Sequence, residues 1–266
     1  MFWKMYQEDT IFGDVTSSTV IPENLMAEGQ VIAREDCVLA GAKYIKKNLK
    51  KLGLEVYSLD DGANVDRGTV VMRIVGNAQD ILMVERTLLN ILSRMSGIAT
   101  ETRRVVERVR EINKNVRIAA TRKTLWGYLD KVAVEIGGGD THRWNLGDMV
   151  MIKDNHIALV GFEESIRRAK GVSFTKKIEV EVEDEEHAIR AAELGVDIIM
   201  LDNMDPDDVC RIAKKLRAYN VIIEVSGGIT PENVEEYARC DVDVISMGYL
   251  THSARSCNFS LEIKKC

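Results

Sequence analysis

The chain has 266 residues, 45% hydrophobic and 29% charged, and its 36 Lys+Arg against 42 Asp+Glu leave a net charge of −6. That composition suits a globular protein able to bury a sizeable core, as one large α/β domain or a medium domain plus a small one. It argues against a general nucleic-acid binder; no apolar run approaches the ~20 residues of a membrane span, and the acidic start Gln7-Glu8-Asp9 is unlike a signal or transit peptide.

Five cysteines (37, 210, 240, 257 and 266) form an odd set without a CxxC pair. Neither a disulfide framework nor a zinc site is expected, and a reduced, cytoplasmic setting fits. In chain order, the first hundred residues mix strand-like runs (Gln30–Ala33, Thr69–Val75) with helical ones (Ala40–Gly53, Asp80–Met95). A break is expected at Ser96-Gly97, followed by a charged amphipathic helix over Thr100–Ile112.

From there a regular alternation sets in. Strands are predicted at Val116–Ala120, Asp148–Lys153, Lys177–Val182, Asp197–Leu201, Val221–Val225 and Val242–Met247. Helices are predicted between them at Tyr128–Ile136, Phe162–Ala169, Glu185–Leu194, Pro206–Tyr219 and Pro231–Ala238. This is the βαβ pattern of a parallel sheet, with a closed or nearly closed α/β barrel favoured over a doubly wound sheet. The expected division is an N-terminal α+β sandwich domain over 1–102, joined by the C-terminal segment 254–266, and a barrel over 103–253.

In a parallel barrel the chemistry gathers where strands end. Here those ends read Thr121-Arg122-Lys123, Lys153-Asp154-Asn155-His156, Asp202-Asn203, Ser226-Gly227-Gly228 and Ser246-Met247-Gly248. Glu179, Glu181 and Glu183 alternate with valines, so period two places all three carboxylates on one strand face, where buried charge requires cations. Arg122, Lys123, His142, Arg143 and Lys153 can supply them. The two glycine-bearing ends offer backbone N–H groups for a phosphate. On the 80–95 helix Arg86 falls at the edge of the apolar sector and Glu85 near its centre, poor places for charge on a core helix. A lone residue of this kind is usually a cap or solvated loop; five coordinated strand ends are not.

Glu85-Arg86-Thr87-Leu88-Leu89-Asn90, Thr121-Arg122-Lys123-Thr124, Gly137-Gly138-Gly139, His142-Arg143, Lys153-Asp154-Asn155-His156, Glu179-Val180-Glu181-Val182, Leu201-Asp202-Asn203, Glu224-Val225-Ser226-Gly227-Gly228-Ile229 and Thr251-His252-Ser253 stand in order over nearly the whole chain. Together they resemble the quinolinate phosphoribosyltransferase family. The resemblance implies conversion of quinolinate and phosphoribosyl pyrophosphate, with Mg²⁺, to nicotinate mononucleotide, pyrophosphate and carbon dioxide, in NAD biosynthesis. It implies an open or incomplete parallel α/β barrel after an N-terminal α/β domain, and a homodimer or higher oligomer acting on small molecules, with no nucleic-acid or membrane partner.

By position, the resemblance gives Arg122, Lys123, His142, Arg143 and Lys153 to the two quinolinate carboxylates and Arg86 to the neighbouring subunit's site. Glu181 and Asp202 go to the ribose and as ligands to the metal, and Ser226, Gly227, Gly228 and Gly248 to the 5′-phosphate; Ser246 is also expected to bind substrate. Lys123, Lys153, Glu181 and Asp202 are the expected catalytic set. Ala120, Trp126, Tyr128 and Thr141 depart from the family pattern around the quinolinate end. The competing readings are a related transferase for another anionic heterocycle, a lysine Schiff-base barrel enzyme using Lys153 or Lys123, and a non-catalytic phospho-ligand barrel.

Overall fold

The structure, a computed structural model, describes residues 1–266. In chain order, α1 (Phe2–Thr10) and α2 (Val15–Val20) precede β1 (Met26–Ala33), β2 (Cys37–Val38), α3 (Ala42–Leu49), β3 (Glu55–Ser58), β4 (Asn64–Val65) and β5 (Val70–Asn77). The long α4 (Ala78–Ile112) follows, then β6 (Arg117–Ala120), α5 (Tyr128–Gly137), β7 (Val150–Ile152), α6 (Asp154–Val160), α7 (Phe162–Ala169), β8 (Ile178–Val182) and α8 (Glu185–Glu193). The rest is β9 (Ile198–Asp202), α9 (Pro206–Leu216), β10 (Ile222–Ser226), α10 (Val234–Ala238), β11 (Val244–Met247), α11 (Tyr249–His252) and β12 (Phe259–Lys265). No helix is long and apolar enough to cross a membrane. The residues fall into two compact units: Met1–Arg103, Trp126–Gly138 and Ala254–Cys266 form the first, Arg104–Leu125 and Gly139–Ser253 the second.

The first unit is built on an antiparallel sheet in the order β12-β1-β5-β3, beside a small β2–β4 ladder. In β1 the alternate residues Ala27, Gly29, Val31 and Ala33 are buried, and Val31 stands opposite Met72 on one side and Leu261 on the other. Helix α4 supplies Ile81, Val84, Leu88, Ile91, Leu92 and Met95 to the core, all essentially inaccessible. The helical stripe is as expected, but the break at Ser96-Gly97 is absent. Both residues are packing positions. Ser96 Oγ accepts the Ala40 N–H (3.0 Å), and a Cβ on Gly97 would lie 2.9 Å from the carbonyl carbon of Arg255. The ~1 kcal/mol that glycine costs a helix is offset by the close approach it permits.

Helix α5, expected within the barrel, clusters instead with the first unit. Its Asp130, wholly buried, receives Arg94 in a two-pronged pair (Nε 2.7 Å, Nη2 2.6 Å) and the Trp126 N–H at 3.1 Å. The Arg94 guanidinium also lies over the Trp126 ring, 5.3 Å from its centroid. Arg103 closes the other end, donating to the carbonyls of Gly137 (3.0 Å) and Ile136 (3.2 Å).

The second unit is a six-stranded sheet in the order β6-β11-β10-β9-β8-β7, every pair parallel. Its edges, β6 and β7, are not hydrogen-bonded to each other, so the barrel is open, as expected. Helix starts follow their caps: Asp184 accepts the His187 N–H before α8, and Asp205 accepts the Asp208 N–H before α9, where Pro206 occupies the first turn. Helix α6 was not anticipated; Lys153-Asp154-Asn155-His156 reads as a loop, yet the Lys153 N–H donates to His156 Nδ1 (3.0 Å) and starts a turn.

The expectation that no disulfide forms is also corrected. Cys210 on α9 and Cys240, two residues past α10, are joined, with Cα atoms 4.6 Å apart. They are 30 residues apart with no local motif, and only the side-by-side packing of successive βα repeats brings them together. Cys37, Cys257 and Cys266 are free.

Candidate active site

A cavity of about 360 Å³ opens at the C-terminal ends of the second unit's strands. Arg122, Lys123, His142, Arg143 and Lys153 bring the cations; Glu181, Asp202 and Glu224 the carboxylates; Thr121, Ser226 and Ser246 the hydroxyls. Of the residues expected in the site, only the glycines and Arg86 are not in this lining. Gly227, Gly228 and Gly248 directly follow the lining serines 226 and 246 in the chain; Arg86 is exposed on α4 in the first unit.

Each group is held by a local device. Thr121 Oγ1 accepts the Lys123 N–H (3.2 Å), and the Thr251 hydroxyl of α11 donates to the Lys123 carbonyl (2.7 Å), fixing the loop that presents Arg122 and Lys123. His142 takes a positive φ of 50°, rare for a side-chain-bearing residue, with its N–H donated to Asp140 Oδ1 (2.8 Å). Lys153 Nζ pairs with Glu181 at the end of β8. Asn203 Nδ2 donates to Asp202 Oδ2 (2.7 Å), and the Asn203 N–H to the Ser226 carbonyl (3.0 Å). This last bond brings two strand ends so close that a Cβ on Gly227, whose φ is +91°, would lie 2.6 Å from the Asn203 nitrogen.

The carboxylate stripe divides. Glu179 is fully buried, Glu181 half-buried at the cavity wall, and Glu183 exposed beyond the last residue of β8, so only two of the three point inward. His142 Nε2 lies 3.3 Å from Glu179 Oε2 and 3.1 Å from Glu224 Oε2. Burial lowers the affinity of this ring for a proton, but hydrogen bonds to the two glutamates outweigh it and push the pKa up to about 10. Burial raises the Glu179 carboxyl, with neighbouring Glu224 adding repulsion. Burial also raises Asp202, with repulsion from Glu181 adding to it, and Arg143 is lowered by burial and by Arg122 beside it. The site therefore holds crowded charge of both signs.

Two findings lay outside the expected set. Glu224 lines the cavity, and the Ser246 hydroxyl, expected to meet substrate, donates to it. Glu224 was detectable in principle: it stands two residues before Ser226, on the same face of β10.

The fold and the site define an open α/β barrel enzyme whose cavity gathers five cationic side chains and three carboxylates. Two profiles match the chain: Quinolinate phosphoribosyl transferase, N-terminal domain, over residues 14–96, and Quinolinate phosphoribosyl transferase, C-terminal domain, over 98–262. The chain belongs to this family. A probable nicotinate-nucleotide pyrophosphorylase [carboxylating] of Methanocaldococcus jannaschii is 48% identical over 98% of this chain and 95% of its own. The protein of that name from Methanothermobacter thermautotrophicus is 46% identical (98% and 97% covered), and the human nicotinate-nucleotide pyrophosphorylase [carboxylating] 37% (87% and 80%). Among solved structures, NadC from Streptococcus pyogenes superposes with a TM-score of 0.92 at 34% identity, covering 100% of this chain and 95% of that one.

Proposed function

We infer that this chain transfers the phosphoribosyl group of phosphoribosyl pyrophosphate to quinolinate, releasing pyrophosphate and carbon dioxide and forming nicotinate mononucleotide in NAD biosynthesis. The observation that carries this reading is the convergence of Arg122, Lys123, His142, Arg143 and Lys153 on a cavity that also holds Glu181 and Asp202, in a chain spanning both domains of the family.

Two adjacent carboxylates on a pyridine need closely spaced cations, and these five supply them. The Ser226-Gly227-Gly228 turn presents N–H groups to the 5′-phosphate. As pyrophosphate departs, positive charge builds at the anomeric carbon, and Glu181 and Asp202 stabilise it while the cations hold the ring nitrogen in line. The pyridinium so formed accepts the electron pair left when the 2-carboxylate departs as CO₂.

The residues fit Mg²⁺: Glu181 and Asp202 are two half-buried acids close enough to repel. They would hold the ion, which supplies charge neutralisation to the leaving pyrophosphate. The protein acts as a cytoplasmic homodimer in this reading, with Arg86 reaching the neighbouring site. Lys153, committed to Glu181, suits carboxylate binding better than Schiff-base chemistry.

The test is direct. Quinolinate, phosphoribosyl pyrophosphate and Mg²⁺ should yield nicotinate mononucleotide and CO₂; product from nicotinate but none from quinolinate refutes the carboxylating assignment. Arg86→Ala and Lys153→Ala proteins, each strongly impaired, should regain activity when mixed as dimers, and no recovery rules out the shared site.

A further inference from the structure

Under that reading, each turnover replaces the departing 2-carboxylate with a proton, which needs a donor at the cavity wall and a route from solvent. A buried polar chain offers both. Glu179 from β8, His142, Glu224 from β10 and Ser246 from β11 are linked in sequence, with Glu179 and Glu224 flanking Nε2 and the Ser246 hydroxyl donating to Glu224. The Arg143 backbone nitrogen lies 2.7 Å from Nδ1, the Arg143 charge acts on Glu179, and Asp140 accepts the His142 N–H.

A second cavity, about 680 Å³, opens at the N-terminal ends of the strands, lined there by Arg117, Ile198, Ile222 and Val244. It shares His142, Arg143 and Glu224 with the catalytic cavity, so the pair His142–Glu224 stands between the two.

The three donor atoms of His142, Glu179 and Glu224 lie within 4.8 Å of one another, which invites a metal. The two carboxylates facing Nε2 hold a proton there instead, and their hydrogen bonds raise the proton affinity of the ring.

We propose that the His142–Glu224 pair delivers the proton that replaces the 2-carboxylate and is recharged from water in the second cavity. The C2–carboxylate bond breaks, its electron pair stays on C2, and CO₂ leaves. C2 then takes a proton from the pair, and the pair regains one from solvent, for a net uptake of one proton per turnover.

The test is a rapid-quench single turnover on the full protein with quinolinate, phosphoribosyl pyrophosphate and Mg²⁺, following pyrophosphate and labelled CO₂ separately. Glu224→Gln keeps the shape but carries no transferable proton. It should slow CO₂ and nicotinate mononucleotide formation on the order of 100-fold, with pyrophosphate release and both KM values within about threefold of wild type. Equal slowing of pyrophosphate and CO₂, or no slowing, overturns the proposal. Glu224→Asp, with a proton-bearing carboxyl one methylene away, should show a smaller split in the same direction. If the Gln variant does not fold, equal slowing in the Asp variant overturns the proposal. A wild-type protein that does not turn over quinolinate at all instead overturns the parent reading, and this proposal with it.

Discussion

Asp130 is wholly buried in α5 and Arg94 is 14% exposed, so their pair is almost completely withdrawn from water. Removing one member of such a pair strands the other charge, at a cost of about 3–5 kcal/mol. Asp130→Ala should therefore lower the urea midpoint of the first unit by about 1.5–2.5 M, taking a slope near 2 kcal/mol/M. The Trp126 indole lies under the same guanidinium, so its fluorescence reports the transition locally and far-UV circular dichroism reports it globally. The control is Arg94→Met with Asp130→Leu, which replaces both charges with packed apolar atoms and should stay within about 1 kcal/mol of wild type. A midpoint shift under about 0.5 M for Asp130→Ala, or a double variant as damaged as the single, would show that the pair does not hold α5 to this unit.

Further outcomes follow from the site and the disulfide. Lys153→Ala removes a cation and leaves Glu181 without its partner; kcat/KM for quinolinate should fall on the order of 100-fold, read by steady-state kinetics. Gly227→Ala forces a Cβ against Asn203 and should raise the KM for phosphoribosyl pyrophosphate, with a lower melting temperature. His142 binds its proton more tightly folded, to about 10 against an ordinary 6.5, so its stabilisation is complete below about pH 6.5 and lost as pH rises through 10. Melting curves of wild type should fall over that alkaline window, and those of His142→Asn should fall less. Thiol titration of denatured protein should find three thiols before reduction and five after. Closing a loop of this length corresponds to roughly 3–4 kcal/mol, so reductant should lower the midpoint of the second unit.

Local signals carried most of the barrel. Each of its six strands is an apolar run ending in polar residues, and the predicted ends lie within two residues of those observed because burial stops where the sheet stops. The cations at those ends were legible for the same reason. What failed was whatever depends on distant chain. Gly97 looks like a helix breaker until Arg255 is packed upon it, and α5 looks like a barrel helix until Arg94 reaches Asp130. Cys210 and Cys240 carry no motif. Glu224 was read as part of a motif and not as a site residue, because only folding brings His142, 82 residues away, to its carboxylate.

Strand β12 lies at the edge of the first unit's sheet, against β1. The sheet that begins at residue 26 is thus completed by residues 259–265, which follow the whole of the second unit in the chain. Until they are made, β1 presents an unpaired edge, open to pairing with another nascent chain. A sheet that starts early and closes with a distant segment ties commitment of the first unit to prior synthesis of the second. A chain without β12 loses the strand that caps this edge, and with it protection against edge-to-edge aggregation.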